Sequence, residues 1–287
     1  MRLIASLLVV LLAGCSEAPS RRPADPPEMT SAQVLSAVRL APGIRTVPPS
    51  LATAGQDVGF DNARCEAGPD ADRVDPCVFG DRASALDVVL WGDSHAGMWV
   101  PALAEIALRR HWRLQFFGKP RCPAVDLRSP DVCERFRAYV IGRIRAVRPE
   151  LVVITNASQG AAGPWEAGWY RTLTTVRPAA GRLVVLGDTP VLDTGPECLA
   201  DHARDVAACF TPRRAATVHV WNRAEENAAR HAGAHYISVL PWLCSAVCTP
   251  VIKDVVVYRN RFQLTATYAR RLSGVLDEAL GLPAPAS

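Results

Sequence analysis

The fold this sequence predicts is a three-layer α/β/α sandwich built on a mostly parallel sheet. Three observations lead there. Short apolar runs of strand length, at Leu86–Trp91, Leu151–Thr155 and Leu183–Leu186, read as strands buried on both faces. Segments with helical periodicity alternate with them, which favours a parallel sheet covered by helices on both sides. The runs break at polar turns that carry Ser94, Asn156 and Asp188, so these residues fall at the carboxyl ends of strands, where open α/β sheets place their sites.

The elements can be taken in order. Ala96–Arg110 repeats apolar residues at Met98, Leu103, Ile106 and Ala107 and predicts a helix. Trp112–Phe117 reads as a strand, and 118–133 as a loop. Arg135–Val147 is helical by its phase, with Phe136, Tyr139, Val140, Ile144 and Val147 in register. Trp165–Val176 and the long polar stretch Pro212–His231 read as helices, His235–Val239 as a strand, and Val255–Tyr258 as a short β segment. Leu264–Leu280 closes the domain as a helix. From 51 to 81 the chain reads as an irregular lead-in that wraps the domain edge. No internal repeat or glycine-rich phosphate loop is visible.

The amino terminus specifies export. Met1-Arg2 precedes twelve uncharged residues, Leu3–Gly14, too few to span a bilayer and suited to a signal peptide. Leu12-Ala13-Gly14-Cys15 resembles a bacterial lipobox, which implies lipidation at Cys15 and attachment to the cell-envelope membrane. Ser16–Ser50 contains seven prolines and one short apolar periodicity, and reads as a tether. The expected organisation is therefore a signal peptide at 1–14, a lipid-anchored proline-rich tether at 15–50, a catalytic-type domain at 51–281 and a tail at 282–287.

Composition narrows the function classes. A 49% hydrophobic content in 287 residues supports a real core. The net charge of +4 rests on scattered arginines with no basic run longer than two residues and no aromatic interleaving, which argues against nucleic acid as a partner. Beyond Cys15 there are eight cysteines, and in an exported chain an even number suggests disulfides. Eight cysteines allow 105 pairings. Their spacing favours neighbour pairs, Cys65 with Cys77, Cys122 with Cys133, Cys198 with Cys209, and Cys244 with Cys248. A zinc site would want tighter tandem spacing, and only Cys244/Cys248 comes near it, so no metal is expected.

The chemistry gathers at Gly92-Asp93-Ser94-His95. A strand, a tight turn and a helix start would lift the Ser94 hydroxyl to the mouth of the sheet and aim helix N–H groups at an oxyanion. This tetrapeptide, the later Val184-Val185-Leu186-Gly187-Asp188-Thr189-Pro190, and Val257-Tyr258-Arg259-Asn260-Arg261-Phe262-Gln263-Leu264-Thr265 occur in an ordered set. Together they resemble the SGNH (GDSL-like) hydrolases and acyltransferases. The similarity is greatest to the SGNH domain associated with membrane acyltransferase-3 proteins that O-acylate cell-surface glycans.

The resemblance implies a flavodoxin-like sandwich and an esterase or O-acyltransferase without a cofactor, with Ser94 as nucleophile. It implies oxyanion donors at the Ser94 N–H, Asn156 and, more weakly, Gly118. It also implies an acylated carbohydrate as ligand and a membrane acyltransferase as partner. The family's C-terminal Asp-x-x-His falls on Asn260 and Gln263. A glutamine amide cannot take the serine's proton, and an asparagine cannot stabilise an imidazolium as a carboxylate does. The alternative to an active enzyme is therefore a degenerate domain, a pseudoenzyme, that binds glycan or partners an acyltransferase. His95, Asp93 and Asp188 lie near the expected mouth, but sequence gives them no motif as a substitute base.

Overall fold

The computed structural model describes residues 27–129, 131–216 and 219–282. The signal peptide, Cys15 and all but one residue of the tail lie outside them. A six-stranded sheet forms the centre: β1 (Cys77–Gly80), β2 (Asp87–Gly92), β3 (Arg113–Gly118), β4 (Leu151–Thr155), β5 (Arg182–Leu186) and β6 (His235–Ile237). Its order is β1-β3-β2-β4-β5-β6, parallel throughout except for β1, which runs antiparallel to β3 at the edge. Strand β1 lies inside the stretch that reads as an irregular lead-in, because its four residues are only half-buried and too few to show a period.

Alternation along the strands divides the core. Val88, Leu90, Leu151, Val153, Val184 and Leu186 face one side, and Val89, Trp91, Val152, Ile154, Leu183 and Val185 the other. The first face is covered by α2 (Val100–Arg109) and by α6 (Ala266–Arg271) and α7 (Ser273–Leu280). The second is covered by α3 (Val132–Val147), α4 (Ala162–Val176) and α5 (His219–His231). This is the three-layer sandwich the alternation of elements predicts.

Two expected helices are divided, and a third is described on either side of residues 217 and 218. The stretch after Ser94 is a single turn, Ser94–Gly97, followed by α2, with Pro101 in the first turn of α2 where a missing N–H costs nothing. The C-terminal helix starts at Ala266, capped by the Thr265 hydroxyl, and breaks at Leu272. The polar stretch is Arg213–Ala216 and α5, with 217 and 218 outside the described residues. Val255–Val256 pairs with Val251–Ile252 in a separate small ribbon.

The tether boundary needs correction. Helix α1 (Ser31–Leu40), with a capping box at Thr30 and Gln33, buries Val34, Ala37 and Val38 in the first core layer. Met29 N–H donates to Arg271 O at 2.8 Å, beside Gly274, where a Cβ would lie 2.6 Å from the Met29 carbonyl. Residues 27–50 thus belong to the folded unit, because the short periodicity at Val34 and Val38 is a docking face.

The disulfides join Cys65–Cys77, Cys122–Cys133, Cys198–Cys209 and Cys244–Cys248. Each closes one loop, and the zinc reading is left without thiolates from these eight. No helix among the described residues is long and apolar enough to cross a membrane.

The orientation of α1 gives a test. Val34→Ala, at a fully buried position, is expected to destabilise by about 2 kcal/mol. Leu35→Ala, at a position 46% exposed, is expected to stay within about 0.5 kcal/mol of wild type. Equal costs in urea unfolding would contradict the docking of this helix.

Candidate active site

The site is built where β2, β3 and β4 end level with one another. Gly92 pairs with Gly118 on one side and Thr155 on the other. A Cβ at Gly92 would lie 1.9 Å from the Thr155 carbonyl oxygen, so only glycine permits this approach. Immediately beyond the three strand ends come Asp93-Ser94, Lys119 and Asn156.

Asp93 is the N-cap of the Ser94–Gly97 turn. Its Oδ1 accepts from the His95 N–H at 2.8 Å, and both oxygens accept from the Ala157 N–H at 3.0–3.2 Å. The carboxylate therefore binds the serine turn to the loop after β4. Burial raises its pKa to about 6, against the opposing pull of His95 and these backbone donors. Ser94 is half-buried at the first position of the turn, where its N–H has no intrahelical acceptor.

Asn156 is 1% exposed, and its Oδ1 accepts from the Ala124 N–H at 2.9 Å. That bond fixes the amide plane and leaves buried Nδ2 with no partner. An unpaired buried donor costs about 1–3 kcal/mol, and such a donor can receive a developing oxyanion. Gly118 is level with Gly92, but it also pairs with Glu66 of the lead-in segment, and its carbonyl accepts from the Ala67 N–H at 2.8 Å. Its backbone is thus partly committed to strand pairing.

Asn260 and Gln263 come to Ser94 from the loop before α6. Asn260 Oδ1 accepts from the N–H groups of Phe262 (3.0 Å) and Gln263 (2.8 Å), and its Nδ2 donates to Gln263 Oε1 at 2.9 Å. Gln263 Nε2 in turn points to the Ser94 carbonyl oxygen at 3.5 Å. The two amides form a linked pair beside the serine, and neither exchanges a proton near neutrality.

One pair is invisible in the sequence. His95 Nδ1 lies 2.6 Å from Asp188 Oδ1, with both side chains under 5% exposed. Asp188 also accepts from the N–H groups of Thr189 (2.8 Å) and Ser158 (2.7 Å). Burial opposes charge on the imidazole, yet the Asp188 carboxylate outweighs it and His95 is held above its ordinary pKa. Ninety-three residues separate the partners, so no local spacing could pair them. The only signal is that both sit at strand ends.

Two further carboxyls border the site. Glu66 lies against the serine turn, its Oε1 2.8 Å from where a Gly97 Cβ would stand. Burial pushes it up to about 7, with the Arg259 guanidinium pulling the other way. Behind Asp188, fully buried Glu225 accepts from Trp165 Nε1 at 3.2 Å, and burial keeps it far above the carboxylate range. It comes from the polar stretch before β6, where the adjacent Glu225 and Glu226 look like solvated surface.

The His95–Asp188 pair makes a checkable prediction. An imidazole whose folded pKa is raised contributes stability fully present below the unfolded value of about 6.5 and lost as pH rises through the folded one. Asp188→Asn is expected to bring the His95 titration, followed by imidazole NMR, below 6.5 and to remove that alkaline loss of stability. An unchanged titration would contradict the pairing.

The sequence profile of the SGNH domain fused to AT3 domains matches residues 64–278. Among curated proteins no sequence matches the chain. Of solved structures, the periplasmic domain of a lipopolysaccharide acetyltransferase from Salmonella ser. Paratyphi A is similar at a TM-score of 0.59 and 14% identity, covering 86% of this chain and 95% of that one. An acetylxylan esterase variant from Geobacillus stearothermophilus gives 0.45 and 12%, covering 72% and 99%. A GDSL-like lipase from Bacteroides thetaiotaomicron gives 0.44 and 11%, covering 69% and 88%. The family match spans most of the chain and contains the whole serine site, so this protein belongs to the SGNH domain family, in the branch described as fused to AT3 domains.

Proposed function

We propose that this chain is a lipid-anchored SGNH domain of the cell envelope that holds O-acylated carbohydrate at Ser94 without a Ser–His–Asp cycle, beside a membrane acyltransferase. The observation that carries this reading is the amide pair. Gln263 sits at the serine with its oxygen engaged by Asn260, where the family resemblance puts the base and its carboxylate. Loss of a triad base costs on the order of 10⁶ in turnover, while binding and oxyanion donors leave roughly 10³–10⁴ over water. Ser94 and the unpartnered Asn156 Nδ2 then remain as a receptor for an acyl carbonyl. The envelope location draws support from the Leu12–Cys15 lipobox and the four disulfides. The similar Salmonella domain, described as periplasmic and part of a lipopolysaccharide acetyltransferase, supports the same compartment and an acylated glycan.

A second reading, an active O-acyl esterase or transferase with Ser94 as nucleophile, is favoured by the His95–Asp188 pair. That pair supplies an imidazole oriented by a carboxylate next to the serine in the chain. It requires the second ring nitrogen to reach Ser94 Oγ.

Rates of p-nitrophenyl acetate hydrolysis and labelling by a fluorophosphonate separate the two. Wild type is expected to match Ser94→Ala within a few-fold, and Asn260→Asp with Gln263→His to gain at least about 10² in a Ser94-dependent rate. In that revertant, Asn156→Ala is expected to remove about 10²–10³ of the gain. A wild-type, Ser94-dependent turnover near the ordinary enzyme value of about 10 s⁻¹ would establish the second reading instead. Lipid attachment is checked separately: Cys15→Ser is expected to move the protein from the membrane to the soluble fraction.

A further inference from the structure

We propose that Phe262 is a stacking platform for a pyranose ring, the sugar whose acyl group enters the Ser94 site. This assignment rests on the carbohydrate reading above, but it concerns a different contact.

Single exposed apolar side chains are ordinary, so exposure alone assigns nothing. Phe262 differs in how it is held. Its ring is stacked on the buried His95 ring, with centroids 5.5 Å apart and planes 21° apart, yet the residue is 38% exposed. The side chain is thus stacked on a fixed neighbour and still reaches solvent.

The backbone beneath it is pinned on both sides. The Phe262 N–H donates to Asn260 Oδ1 at 3.0 Å, and its carbonyl accepts from Thr189 Oγ1 at 2.6 Å. The neighbouring Arg261 donates through Nε to the Leu192 carbonyl at 2.8 Å, while the Leu192 N–H donates to the Arg261 carbonyl at 2.7 Å. His95, under the ring, is itself fixed by Asp188 at 2.6 Å. A rigid aromatic with two side-chain torsions already set loses little entropy when a ligand covers it.

Position and surroundings select the ligand class. Gln263, the next residue, points its amide to the Ser94 carbonyl, so the platform stands at the rim of the serine site. An ester links the acyl carbon to its sugar through one oxygen, which keeps the ring close to an acyl group held at Ser94. The residues flanking Phe262 are Asn260, Arg261 and Gln263, all polar. A protein partner would want a contiguous apolar patch of several hundred Å². One flat apolar face at the rim of a polar site suits a sugar, which offers C–H groups to the negative π face.

The test uses the full-length protein with fluorophenylalanine incorporated and fluorine NMR as the readout. The probes are methyl N-acetyl-β-glucosaminide, its 6-O-acetyl ester, and methyl acetate as the acyl group alone. Both glycosides are expected to shift the Phe262 signal saturably. Affinity for the two glycosides is read in parallel by titration calorimetry on unlabelled protein: Phe262→Leu, which keeps apolar bulk but has no π face, is expected to weaken both by about ten-fold, and Phe262→Tyr to stay within about two-fold. If either variant melts earlier than wild type, the wild-type Phe262 shift decides alone. Sugar binding at Phe262 without preference for the ester keeps the platform and removes the acyl reading. Ester-dependent binding that is indifferent to Phe262→Leu removes the platform and keeps the acyl reading. No binding of either glycoside up to its solubility overturns both.

Discussion

The contact on which the site depends is the approach of Gly92 to the Thr155 carbonyl. It brings β2 and β4 to an end at the same level, with β3 alongside through the Gly92–Gly118 pairing. A side chain at Gly92 would force the strands apart and displace the turn after β2 and the loop after β4. From this one closeness come the height of Ser94 above the sheet and the presence of Asn156 beside it. Asp93 secures the arrangement by capping the serine turn and accepting from the loop after β4 with the same carboxylate. Both core layers, divided by simple alternation along the strands, serve to hold these ends in register.

Around that frame the chain has collected buried polar groups to an unusual depth. Asp93, His95, Asn156, Asp188 and Glu225 are all nearly or wholly inaccessible within one region. Each buried polar atom needs a partner or costs about 1–3 kcal/mol, so such clusters persist where they orient something. Here Asp188 orients His95, His95 supports Phe262, and Asn260 holds both Phe262 and Gln263. Asn156 Nδ2 and Glu225 Oε2 are exceptions, buried without a partner. Asn260 and Gln263 form a linked amide pair beside the serine, and neither amide moves a proton near neutrality.

Sequence by itself determined the sheet and its strand-end residues. Buried parallel strands declare themselves as apolar runs, so the strand ends that carry Ser94 and Asn156 are legible with no structure. Neighbouring cysteines are a sound guide to the loops they close, because a short loop favours its own closure. The substitutions at Asn260 and Gln263 are also legible, since they are statements about residue type. Tertiary structure alone decided the rest. Edge strand β1 shows no period in four half-buried residues, and α1 became part of the core because its short apolar face met α7. The His95–Asp188 pair, the fixing of Asn156 by Ala124, and the stacking of Phe262 join residues far apart in the chain. No local pattern records such contacts, because they form only when separate strand ends and loops are packed against one another.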